Sequence, residues 1–211
     1  MEQFLIIATV HFFALLSPGP DFFLVARTAI TSGWRTASGA CAGIALGNGV
    51  FIVAAFTGMT MLRAGSAGFI AVQVAGGGFL RYLGTLFLRQ AGSTTLQASD
   101  AATGARADGA HGGGKAAGLG ALSALLNPKN ALFYATLAAM LNGPQASTAT
   151  KFFYGAWMFG IVLLWDLLVA ALVGHPWVLG RFARALPWLE RAAGFLMIAL
   201  ALWIVVSLWA G

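Results

Sequence analysis

Six stretches of this chain, near residues 4 to 27, 38 to 61, 67 to 88, 117 to 140, 152 to 173 and 188 to 209, are each long and apolar enough to cross a bilayer. A spanning helix needs about 20 mostly apolar residues, because every backbone N–H and C=O must be satisfied inside the segment when no water is at hand. Such runs leave few folds open. A chain that is 59% hydrophobic and 9% charged cannot cover a soluble surface, which takes about 25% charged residues. The expected class is all-α: one polytopic transmembrane domain over residues 1–211, with six membrane helices.

The joints between the runs are short except for 89–116. There a Gly/Ser/Thr/Ala mixture with little to bury has the composition of a linker, and it divides the chain into halves 1–88 and 117–211. The first run opens on Met1-Glu2-Gln3 and lacks the basic flank of a cleaved secretory signal, so it is expected to stay as a permanent helix. Arg27, Arg35, Arg89, Arg106, Lys115, Arg181, Arg184 and Arg191 fall on one side of the expected membrane, against Arg63 and Lys151 on the other. Eight against two puts the linker in the cytoplasm and both termini outside.

With three crossings per half, the second half enters the membrane from the opposite face, the topology of an inverted repeat. Residues 14–24 set against 124–134, a constant offset of 110, share five identities in eleven. The informative part is a proline near the middle of the first helix of each half, Pro18 and Pro128, each preceded by a small hydrogen-bonding residue, Ser17 and Asn127. Proline inside a helix removes a backbone hydrogen bond and clashes with the preceding turn. In lipid this is tolerated where protein or a watery cavity surrounds the break. Ser17-Pro18-Gly19-Pro20-Asp21 is therefore expected to end one half-helix near Leu16 and start another near Asp21, leaving carbonyls on one side and positively polarised N–H groups on the other. Asn127-Pro128-Lys129-Asn130 repeats the arrangement, and interrupted helices at matching positions of two halves point to a transporter's substrate site. The plainer alternative is a pair of packing kinks.

Ionisable groups at membrane depth are costly, so Asp21, Arg81, Lys129 and Asp166 are functional candidates. Asp21 either caps the restarted half-helix or binds a proton or ligand. Asp166 lies near mid-span in the fifth run with apolar neighbours on both sides, and Lys129 is its expected partner. Two readings stand: a structural Asp166–Lys129 pair, or a proton-relay and substrate pair. Asn48 is either glue between helices or a substrate contact. Gly39, Gly43 and Gly47, spaced by four, read as a packing stripe, and Gly76-Gly77-Gly78 as close packing or local unwinding. His11, His111 and His175 are scattered, and Cys41 is the only cysteine, so no metal site, cofactor or redox chemistry is expected. Tryptophans such as Trp34, Trp188 and Trp203 suit an interfacial belt rather than a nucleic-acid surface.

Ser17-Pro18-Gly19-Pro20-Asp21, then Gly33-Trp34-Arg35-Thr36-Ala37-Ser38-Gly39 leading into a Gly-rich helix, then Leu126-Asn127-Pro128-Lys129 after a polar linker, resembles the LysE/RhtB family of bacterial amino-acid exporters over essentially the whole chain. Asp166 falls where that family usually has an acidic residue. The resemblance implies inner-membrane export of amino acids or close relatives, driven by proton antiport, often by a homodimer. It leaves the substrate open. The resulting expectation is an amino acid bound by Ser17, Pro18, Gly19, Pro20, Asp21, Asn48, Asn127, Pro128, Lys129 and Asp166, with Asp166 and Asp21 as proton-coupling groups and no cofactor. A membrane enzyme acting on a lipid or isoprenoid is the alternative. It would need acidic pairs, histidines or arginines gathered near one interface, and none is evident.

Overall fold

The computed structural model describes residues 2–16, 19–61, 66–92, 112–140, 147–173 and 176–210. The described residues form helices and no strands: α1 Glu2–Leu16, α2 Pro20–Met61, α3 Ala67–Gln90, α4 Gly112–Leu126, α5 Pro128–Met140, α6 Thr148–Leu172 and α7 Pro176–Ala210. Four stretches are long and apolar enough to cross a membrane unaided, Pro20–Gly58, Ala67–Arg89, Thr148–Leu172 and Arg184–Val206. The other two apolar runs are divided. The run near 4–27 is shared between α1 and the start of α2, and the run near 117–140 between α4 and α5.

The joint expected between residues 27 and 38 is helical instead. Only Gly33 leaves the helix, at φ 81° and ψ 163°, a left-handed backbone that glycine adopts without a Cβ clash. Helix therefore continues on both sides of a one-residue bend. Most of the linker, 93–111, lies outside the described residues, as do Ser17 and Pro18.

Small residues decide how closely the helices approach. A Cβ on Gly39 or Gly43 would meet the backbone of Gly113 or Ala117 in α4, and one on Gly47 would lie 2.7 Å from Ala124 Cβ. The four-residue glycine stripe is thus a packing face, and α2 lies against α4 with its backbone nearly in contact. Gly76 packs on Thr136 inside an uninterrupted α3, so the triple glycine there does not unwind its helix. A second close crossing joins α3 to α7, where a Cβ on Gly84 would lie 2.7 Å from the Gly194 carbonyl oxygen and one on Gly194 2.8 Å from that of Gly84. Apolar side chains fill the remaining space in two main groups. One gathers Ile7, Val10, Leu80, Leu137, Met158 and Met197, the other Val25, Cys41, Ile44, Val162 and Val169. The polar residues described next sit between them.

Candidate functional site

Both interrupted helices restart by the same local device. Gly19 accepts the first backbone bond of α2 from Phe23 N at 3.1 Å, and Pro20 takes the first helical position, where a missing N–H costs nothing. At the second break Asn127 stands in the capping position, Pro128 follows, and Asn127 Oδ1 accepts from Lys129 N at 3.1 Å. The helices that precede the breaks end at Leu16 and Leu126, both 15 residues long. Pro20 opens α2 as Pro128 opens α5.

The side chains at each break reach across to the other. Lys129 Nζ donates to the Ala14 carbonyl at 3.3 Å, satisfying an acceptor in the last turn of α1 where the helix has no partner of its own. A cation there also matches the negative end of the helix dipole. The ammonium lies 5.3 Å from the Phe87 ring centroid, and a Cβ on Gly19 would sit 3.9 Å from it. In the opposite sense Asp21, in the first turn of α2, accepts from Ser123 Oγ at 2.6 Å and from Asn130 Nδ2 at 2.9 Å. Asn130 Nδ2 also donates to the Ala124 carbonyl at 3.3 Å. Asp21 is therefore a brace between the two breaks as well as a favourable charge at a helix start.

These groups surround a cavity of about 60 Å³ lined by Gly19, Asp21, Asn48, Asn127, Lys129 and Asp166 together with His11, Asn130, Tyr134 and Trp165. One water needs about 10–15 Å³ by this measure, so the space holds a few waters or the polar end of a small solute. Asn48 is buried and donates to the Ile44 carbonyl at 3.0 Å within its own helix while also facing the cavity. Asp166 comes from the C-terminal third of α6, is 6% exposed, and its Oδ2 has no hydrogen-bond partner among the described residues. Lys129 is committed to Ala14 and Phe87, so the direct Asp166–Lys129 pair is not formed here. Arg81, the fourth intramembrane candidate, is exposed on α3 and does not line the cavity.

Six of the ten residues expected from the sequence meet at this cavity. Pro20 and Pro128 set up its two helix starts, and Ser17 and Pro18 lie outside the described residues. The contributors not singled out are Ser123, Asn130, His11 and Tyr134. Asn130 carried a visible signal in Asn127-Pro128-Lys129-Asn130. Ser123 and Tyr134 are ordinary helix residues until the partner is known.

The model of the LysE type translocator family matches residues 12–208. The chain belongs to that family. It is accordingly a multi-pass membrane transporter, which sets aside the membrane-enzyme alternative. Among characterised relatives, the threonine efflux protein of Escherichia coli K12 is 28% identical over 97% of this chain and 98% of its own length. That of Salmonella typhimurium LT2 is also 28% identical, over 98% of this chain and 99% of its own length. A chemotactic transduction protein, ChpE of Pseudomonas aeruginosa, is 31% identical over 75% of each chain. No solved structure matches this translocator.

Proposed function

We propose that this translocator exports amino acids or close derivatives across the bacterial inner membrane by proton antiport. One observation carries the reading: Lys129 and Asp166, of opposite charge type, line one cavity at two helix breaks without pairing with one another. A zwitterion has complementary ends. Its carboxylate would face Lys129 and the N–H groups at the starts of α2 and α5, and its ammonium would face Asp166. A proton on Asp166 removes the attraction for the ammonium, so proton binding and amino-acid binding compete for one group. Asp21, held by Ser123 and Asn130, would report that exchange to the interface between the breaks. The relatives named as threonine efflux proteins support the amino-acid assignment.

In this reading the six apolar runs are two inverted triplets with a cytoplasmic linker and both termini outside, and alternating access comes from one triplet rocking on the other. Its support is an equality of offsets. Gly84 and Gly194, which touch backbone to backbone, are separated by 110 residues, the same offset that aligns Pro18 with Pro128 and the helix ends Leu16 and Leu126. Equivalent residues meeting each other are what a pseudo-two-fold axis between the two triplets would produce.

The test is counterflow into proteoliposomes with a panel of radiolabelled amino acids, with and without a pH gradient. At least one amino acid is expected to exchange, and Asp166→Asn and Lys129→Ala are each expected to abolish proton-coupled efflux while the protein stays folded. Full transport by both variants would overturn the mechanism.

A further inference from the structure

His11 is fully buried in α1 and enclosed by aromatic rings, with centroids of Phe133 at 5.8 Å, Tyr134 at 5.7 Å and Trp157 at 5.6 Å. An apolar ring would fill such a box without carrying polar atoms into it. The imidazole instead shares one hydrogen bond, Nε2 with Tyr134 Oη at 3.2 Å, and leaves Nδ1 buried with no partner among the described residues. Buried polar atoms without partners are rare, because each has given up water and received nothing in return. Packing does not explain this one. His11 lines the cavity that also holds Lys129 and Asp166, so a partner for Nδ1, which is closed to solvent here, would come from that side.

We infer that His11, oriented by Tyr134, reads the side chain of the transported amino acid, its Nδ1 bonding a hydroxyl on a short stem. The inference rests on the amino-acid reading above and adds a selectivity to it. Tyr134 fixes the ring in either of two ways. If its hydroxyl donates to Nε2, the free Nδ1 carries the proton and is a donor; if Nε2 donates to the hydroxyl, Nδ1 is an acceptor. A substrate hydroxyl both donates and accepts, so it suits either tautomer, whereas a methyl group suits neither. The small cavity admits a short stem and disfavours a long one. With Lys129 and Asp166 holding the two charged ends, His11 supplies a third fixed point, and three points define the orientation of a small chiral solute.

Threonine and valine isolate this contact, since they differ by a hydroxyl in place of a methyl group at nearly equal volume. In proteoliposomes of the intact protein, unlabelled threonine is expected to compete with labelled substrate about tenfold more effectively than valine does, the scale set by leaving one buried polar atom unpaired. His11→Phe should bring the threonine-to-valine ratio close to one, read as relative competition against the same labelled substrate. His11→Gln, which keeps a hydrogen-bonding head, should retain part of the preference, and Tyr134→Phe should reduce it. A purely structural histidine would lower both substrates equally in all three variants, and that result overturns the inference. So does a wild-type protein that exchanges both amino acids equally, which decides the matter even where a variant fails to fold. If no amino acid is exchanged by the wild type at all, the proposed function itself falls, a result distinct from exchange without preference.

Discussion

The two helix breaks share a backbone and differ in charge. The first, around Gly19-Pro20-Asp21, contributes an acid and an uncapped carbonyl at Ala14; the second, Asn127-Pro128-Lys129-Asn130, contributes a cation and two amides. Each charged side chain reaches across to the other break. Lys129 completes the end of α1, and Asp21 collects Ser123 and Asn130 from either side of the second interruption. Two proline-opened helix starts thus meet at one cavity, and unlike side chains make that cavity polar in opposite senses. Two identical breaks would hold like charges together, which costs free energy at any depth and most of all in a low-dielectric interior.

The sharpest way to break this comparison is to remove the cation. Lys129→Ala leaves the Ala14 carbonyl without its partner and the cavity without its positive group, so proteoliposome transport should fall by about 100-fold or more, on the scale of losing a charged hydrogen bond together with its substrate contact. Transport within a few-fold of wild type would show that the charge difference between the breaks has no functional weight. Next comes the packing that holds the breaks in register. Gly43→Val drives a side chain into the α4 backbone at Ala117 and should destabilise the protein by ~3 kcal/mol or more, seen as a large drop in the detergent unfolding temperature.

Asp21→Asn tests the opposite break more gently. The amide oxygen can still accept from Asn130 Nδ2 while its NH₂ donates to Ser123 Oγ, so both contacts survive without the charge. Transport is expected to fall about tenfold with the fold intact, the cost of replacing charged hydrogen bonds by neutral ones. An effect as large as that of Lys129→Ala would mean that the two breaks share the substrate charge equally. The smallest change is at the cap. Asn127→Ala removes the acceptor for Lys129 N and should cost ~1 kcal/mol of stability, a shift of a few degrees in thermal unfolding with transport retained.

Much of this arrangement is legible from the chain because it is local. Proline has no N–H to give, so a helix ending at Leu16 and one starting at Pro128 follow from composition over a handful of residues. Glycines spaced by four in α2 must lie on one stripe of one helix, and the close approach of α4 is what such a stripe permits. The bend at Gly33 was not legible in this way. A single residue in the left-handed region replaces the expected joint, and helical residues on either side of it look no different from those inside a helix.

Partnership at the site belongs to the other kind of information. Asp21 meets Ser123 and Asn130 across 102 and 109 residues, and His11 meets Tyr134 across 123. No spacing rule reaches that far. The sequence alone supports an Asp166–Lys129 pair, because each is a costly charge that needs an opposite; the structure instead sets Lys129 against a helix-end carbonyl and the Phe87 ring and leaves Asp166 Oδ2 buried with no hydrogen-bond partner among the described residues.

What this sequence determined by itself is an all-helical membrane transporter of the LysE type with helix-opening prolines in two of its apolar runs. Those properties come from apolar content and from hydrogen bonds satisfied within a few residues. Which charge faces which carbonyl, and which polar atoms are left unpaired around the cavity, only the tertiary structure decided, because those contacts depend on how six apolar runs pack across one another.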